Sequence, residues 1–210
     1  MNKVVLLAIN AKYVHSALSV WVLAEGVAMY ARTPHDVHVV EATIHQRDSE
    51  IAGRVAAFEP DVVGISAYIW NAGKLPGLLK LLRETIPGAV FVLGGPEASF
   101  NAGYWWEQGA DFVLKGEGEY SFAELLDRLS RGDGLQSQGY SVDGMSQSDE
   151  PIDAAQRCNT RGRTFCATSD ADDSSPDNVP TPIDPYTDAY FAALGDRIAY
   201  IETSRGCPFK

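Results

Sequence analysis

Apolar residues recur along the first 130 positions in two rhythms that alternate. Short unbroken runs cover residues 3–9, 37–41, 61–67, 89–93 and 112–114. Runs rich in β-branched residues suit strands buried on both faces, as in a parallel sheet. Between them the spacing turns helical. Residues 16–30 form a segment apolar nearly all round through Leu18, Trp21, Val22 and Leu23, with Ser16 placed to cap it. Ile51, Val55 and Phe58 mark one face of a second helix. Leu75, Leu78, Leu79, Leu82 and Ile86 stripe a third, which Asn71 can open and Pro87-Gly88 closes. A short aromatic helix is predicted over 100–106. Phe122, Leu125, Leu126 and Leu129 stripe the last one. Strands alternating with helices predict an α/β fold: a doubly wound, five-stranded parallel sheet with the flavodoxin-like order 2-1-3-4-5.

The rhythm stops near residue 132. Gly, Ser, Asp and Pro dominate the next fifty positions, which read as a polar linker with at most a weak hairpin. Order is expected to resume over 184–194, with Tyr186, Tyr190, Phe191 and Leu194 as contacts, and residues 198–203 read as a strand. The predicted division is an α/β domain over 1–131, a linker over 132–182 and a further unit starting at 183.

Charge and composition narrow the function. The chain has 210 residues and a net charge of −11, from 17 basic and 28 acidic residues, with no Lys/Arg run. Nucleic-acid binding is therefore not expected. No stretch approaches the ~20 apolar residues of a membrane span. The first apolar run is broken by Asn10 and Lys12, so the chain reads as cytoplasmic and its three cysteines as thiols or metal ligands.

In open α/β sheets the ligand lies outside the carboxyl ends of the strands, so the loops there carry the chemistry. They begin Asn10-Ala11-Lys12-Tyr13, Ser66-Ala67-Tyr68, Gly94-Gly95-Pro96-Glu97 and Gly116-Glu117-Gly118-Glu119. The first has no Gly-x-Gly-x-x-Gly dinucleotide signature, no Walker A loop occurs, and acidic phospho-acceptor positions are missing. What remains is an edge of small residues, suited to a flat, wide ligand with a tail slipped between sheet and helices.

The run Pro60-Asp61-Val62-Val63-Gly64-Ile65-Ser66-Ala67-Tyr68, followed by the two Gly-rich loops, resembles the cobalamin-binding domain found in front of radical SAM enzymes. The ending Glu202-Thr203-Ser204-Arg205-Gly206-Cys207-Pro208-Phe209 resembles the entry to the radical SAM cluster loop. The resemblance implies cobalamin across the sheet edge. Its dimethylbenzimidazole tail would lie near Ser66 and Gly94-Gly95, within a site drawn from Asn10, Tyr13, His15, Ser66, Ala67, Tyr68, Gly94, Gly95, Pro96, Glu97, Gly116, Glu117, Gly118 and Glu119. It also implies a [4Fe–4S] cluster and S-adenosylmethionine in an intact, methyltransferase-like parent enzyme, whose barrel would dock on this domain. Cys207 matches the first of three cluster cysteines, and the second would fall beyond Lys210. The chain alone is thus expected to be truncated and inactive in radical chemistry.

One departure concerns cobalt. Cobalamin proteins with a lower histidine ligand carry Asp-x-His-x-x-Gly after the first strand, whereas here Asn10 and His15 stand at another spacing. His15 reads as a hydrogen-bonding group at the helix start. Cys158 and Cys166 show no metal-ligand spacing. Two other readings stay open: a nucleotide or nucleotide-sugar module on the same edge, and a ligand-free remnant.

Overall fold

The computed structural model describes residues 2–132, 163–165 and 183–202. Strand alternation sorts the core into two layers. Val5, Leu7 and Ile9 of β1 (Lys3–Asn10) point one way, with Val63 and Ile65 of β3 (Val62–Ser66) and Phe91 and Leu93 of β4 (Val90–Gly94). They meet Ile51 and Val55 of α2 (Asp48–Ala56), the leucines of α3 (Leu75–Thr85) and Trp105 of α5 (Ala102–Glu107). Val4, Leu6, Val62 and Val92 point the other way, with Phe112 and Leu114 of β5 (Phe112–Leu114). These pack on α1 (Leu18–Tyr30) and on Phe122, Leu125 and Leu126 of α6 (Glu119–Arg131). The period-2 pattern of the inner strands and β5 thus fills both faces, which is why they read as unbroken apolar runs, while edge strand β2 is only partly buried.

β2 (Asp36–Thr43) pairs with β1 from Lys3↔Asp36 to Asn10↔Thr43, and every pairing in the sheet is parallel. The order 2-1-3-4-5 is the expected one. One addition lies within the stretch read as linker: β6 (Arg163–Phe165) continues the sheet beyond β5, also in parallel.

Four local expectations change. Asn71 does not cap the third helix, which begins at Leu75 without a side-chain cap. Ser16 does not cap α1; its hydroxyl donates to the Ile198 carbonyl, and the Ala17 amide is taken by Glu41 instead. The aromatic helix over 100–106 is two helices, α4 (Pro96–Phe100) and α5, divided at Asn101. The strand over 198–203 reduces, up to residue 202, to a single parallel bridge between Ile198 and His15.

The segment 183–202 docks on α1. Its helix α7 (Asp188–Leu194) buries Tyr190, whose ring meets Trp21 edge-on at 5.7 Å. With α6 on one flank and α7 on another, α1 is covered on more than its sheet side, as its nearly all-round apolar surface requires. Among the described residues no helix is long and apolar enough to cross a membrane.

Candidate functional site

The face of the sheet toward α1 and α6 tapers. At its lower end stand Val62 and Phe112; near the carboxyl ends the same face carries Gly64, Ser66 and Gly94. Ser66 and Gly94 are register partners, as are Gly64 and Val92. Small side chains at neighbouring strand ends leave a hollow that neither helix fills. The result is a cavity of about 450 Å3, roofed by Val20 and Leu23 of α1 and bounded by Phe122 of α6. That volume lies within the range of small-molecule pockets, roughly 300–1,000 Å3.

Backbone conformation holds the rim. Gly95 has φ +100°, and a Cβ there would stand 2.7 Å from the Ala67 carbonyl oxygen. This close approach lets the Ala67 amide donate to Gly94 and lets the Glu97 amide donate to Ala67, tying β3 to the start of α4. Gly116, at φ +75°, turns the loop after β5 outward into open space. Ser99, one helical turn after Gly95, donates to the Gly95 carbonyl and accepts from the Gly116 amide, joining the two Gly-rich loops.

Asn71 fastens the adjoining edge. It is fully buried; its amide donates to the carbonyls of Ile9 and Ser66, and its oxygen accepts from the Tyr68 amide. Trp70 also donates to the Ile9 carbonyl, and its ring stacks on Tyr68 at 4.3 Å.

Of the residues expected at the edge, the structure gathers Ser66, Tyr68, Gly94, Gly95, Pro96, Gly116, Glu117, Gly118 and Glu119 around the cavity. The other five lie apart from its lining. Asn10 is buried and donates to the His15 carbonyl and to Glu41. Ala67 and Glu97 serve the backbone tie just described. Tyr13 is 79% exposed in the loop after β1. The His15 ring lies 2.5 Å from the Tyr200 hydroxyl. Ser19 and Ser99 line the cavity and were not singled out in the sequence. Their signal is a small polar residue in the helix that follows a ligand-edge strand. Cys158, Cys166 and Cys207 fall outside the described residues. Among the described ones no group of three or more His, Cys, Asp or Glu is placed to hold a metal ion.

The cavity fits the tail of cobalamin on its own terms. Val20, Leu23, Val92, Leu114 and Phe122 give it apolar walls against which a flat aromatic base can pack, and the glycines leave room for that base. Ser66 supplies a hydroxyl at its wall that has no hydrogen-bond partner among the described residues, although the residue is only 9% exposed. The hydroxyl faces the open cavity, where a ligand atom can pair with it.

Comparison with known proteins agrees. The model of the B12 binding domain matches residues 4–126. An uncharacterized methyltransferase of Pyrococcus horikoshii is 28% identical over 193 residues, which cover 87% of this chain and 38% of that protein. The cobalamin-dependent radical SAM methyltransferase TokK of Streptomyces tokunonensis is 39% identical over 70 residues, 32% of this chain and 10% of that one. The chain therefore spans well under half the length of these relatives. Among solved structures, the cobalamin-dependent S-adenosylmethionine radical enzyme OxsB, with aqua-cobalamin and S-adenosylmethionine bound, aligns with a TM-score of 0.57 at 17% identity. The alignment covers 65% of this chain and 20% of that one, and at this identity the likeness is one of fold. A chain with this sheet order, this tapered cavity and a family match across its whole α/β region belongs to the B12-binding domain family and is a cobalamin-binding module.

Proposed function

We propose that this chain is the cobalamin-carrying part of a radical SAM enzyme, and that the nucleotide tail of cobalamin enters the cavity between the sheet and α1 and α6. The observation that carries the reading is the taper from Val62 and Phe112 to Gly64, Ser66 and Gly94, which hollows one face of the sheet at its carboxyl edge. Val20, Leu23 and Phe122 would exclude water from the base. Ser66 would donate to it, and the Gly94-Gly95 and Gly116–Gly118 loops would admit the ribose and phosphate to the backbone. Bound cobalamin supplies a cobalt atom able to carry a methyl group.

In this reading residues 1–131 form the cobalamin unit, 132–182 connect it onward, and 183–210 open the radical SAM part, with Cys207 as first ligand of its cluster. Two apolar side chains support a docking partner above the corrin: Ile69, in the loop after β3, is 83% exposed, and Phe100, the last residue of α4, is 91% exposed. A cytoplasmic setting belongs to the reading, since thiolate-held clusters need a reducing compartment. Methyl transfer is the activity supported for the whole protein, through the relatives' names alone.

The test is titration of the purified chain with hydroxocobalamin, then desalting and absorbance. Near-stoichiometric retained colour is expected. Stabilisation by nucleotides or nucleotide-sugars with no retained cobalamin would replace this reading by the nucleotide one.

A further inference from the structure

Glu41 is a buried charge to which the cobalamin reading gives no role. Glu41 sits on β2 with its side chain only 9% exposed, beside the loop that joins β1 to α1. Its carboxylate takes four donors from three parts of the chain. Asn10 at the end of β1 donates at 2.8 Å, the Ala17 amide at 2.9 Å, the Trp21 indole at 3.1 Å and the Arg197 guanidinium at 2.8 Å. Three of these donors converge on Oε2 and the indole takes Oε1, so the buried charge is well compensated.

Arg197 is fixed from its own side as well. Its guanidinium donates to the carbonyls of Ala193 and Leu194, closing the end of α7. Beyond it, the Ile198 amide donates to the Val14 carbonyl and the Ser16 hydroxyl donates to the Ile198 carbonyl. Tyr200 then meets the His15 ring. The segment leading out of the domain is therefore laid along the β1–α1 loop and buttoned to it at Val14, His15 and Ser16. Tyr13, 79% exposed, immediately precedes the three residues so buttoned, in the loop that leaves β1 at the carboxyl edge of the sheet.

We propose that Arg197, acting through Glu41, is a positioning residue: it holds the β1–α1 loop so that Tyr13 covers bound cobalamin, and so couples that loop to the chain downstream. The statement rests on the cobalamin reading. Its mechanical half concerns only this chain. Breaking a buried pair by removing one partner leaves an uncompensated charge, so the ordered loop should loosen. Arg197 lies outside the two core layers of the sheet, so the domain itself should keep its fold.

Two readouts test it on the full chain. In amide hydrogen exchange without ligand, Arg197→Met should speed exchange at the Val14–Ala17 amides by at least about tenfold, with α3 unchanged. Ile198→Pro, which removes the donor to Val14 and leaves Glu41 paired, should do the same. In hydroxocobalamin titration, Arg197→Met should weaken binding about tenfold and move the visible bands of the bound form toward those of free cobalamin. Arg197→Lys should restore part of both. Unchanged loop exchange in both variants overturns the clasp. Faster exchange with unaltered affinity and spectrum overturns its positioning of cobalamin. Failure of the wild-type chain to retain cobalamin overturns the cobalamin reading and Tyr13's part with it, while exchange still decides the clasp.

Discussion

Gly95 lies against the backbone of Ala67, so close that a Cβ would stand 2.7 Å from one Ala67 atom and 3.3 Å from another. Backbone atoms cannot yield as a flexible side chain can, and φ +100° disfavours any L side chain in addition. Gly95→Ala should cost roughly 2–4 kcal/mol in urea unfolding. It should also abolish cobalamin retention, because the tie between β3 and α4 shapes the cavity. An alanine variant with wild-type stability would mean that the two backbones separate freely.

Ser66 stands one strand away, and its side chain forms no bond that the fold needs. Ser66→Ala should weaken hydroxocobalamin about threefold, the value of one neutral hydrogen bond. Ser66→Leu should fill the hollow, lower affinity by more than about tenfold and leave the thermal midpoint unchanged or raised, since it buries apolar area. Equal affinities for all three proteins would place the ligand elsewhere.

Asn71→Ala removes three hydrogen bonds at once in a fully buried place, taking a donor from the Ser66 carbonyl and the acceptor from the Tyr68 amide, while the Ile9 carbonyl keeps the Trp70 indole. A loss of about 2–4 kcal/mol is expected in denaturant unfolding. A loss below about 0.5 kcal/mol would show that water replaces the amide at little cost.

At the opposite edge of the sheet, Asp127 of α6 accepts the amides of Arg32 and Thr33 and the Thr33 hydroxyl, and faces the buried His35 ring. Burial alone would raise the Asp127 carboxyl; the bonds from Arg32 and Thr33 outweigh it and hold the group below its ordinary 3.8. Burial lowers His35 below its ordinary 6.5, against the pull of Asp127. For both groups the unfolded chain binds the proton first, so stability is present at neutral pH and falls with acid. One decline should begin below pH 6.5 and a second below pH 3.8. The urea midpoint measured against pH should show both; His35→Gln should remove the upper decline and Asp127→Asn the lower. A midpoint rising between pH 6.5 and 5 would contradict the assignment.

Much of this architecture can be read from periodicity. The apolar runs locate β1 to β5, most clearly β1, β3 and β5 where both faces are buried, and the stripe from Leu75 to Leu82 matches one face of α3. What escaped has no local signature. Glu41 reads as an ordinary strand-end charge until Arg197, 156 positions later, is brought to it. Ser16 has a cap's chemistry, but its hydroxyl is committed to the Ile198 carbonyl, 182 positions later. The Gly-rich loops could be placed at the ligand edge from topology, whereas the cavity depends on which strand face Gly64, Ser66 and Gly94 share. That follows from register, and Ser19 and Ser99 complete the wall only after two helices fold back.

The two layers of the core are unequal. The side toward α2, α3 and α5 is filled up to the carboxyl edge by Ile9, Ile65 and Leu93, while the side toward α1 and α6 is hollow at that same edge. The sheet is consequently a wall with a foundation on one side and a door on the other. A guest arriving at the edge has to pry apart only α1, α6 and the strand ends beneath them, and the foundation keeps the strands in register while it does so. Loading and emptying the domain can therefore proceed without passing through the unfolded chain.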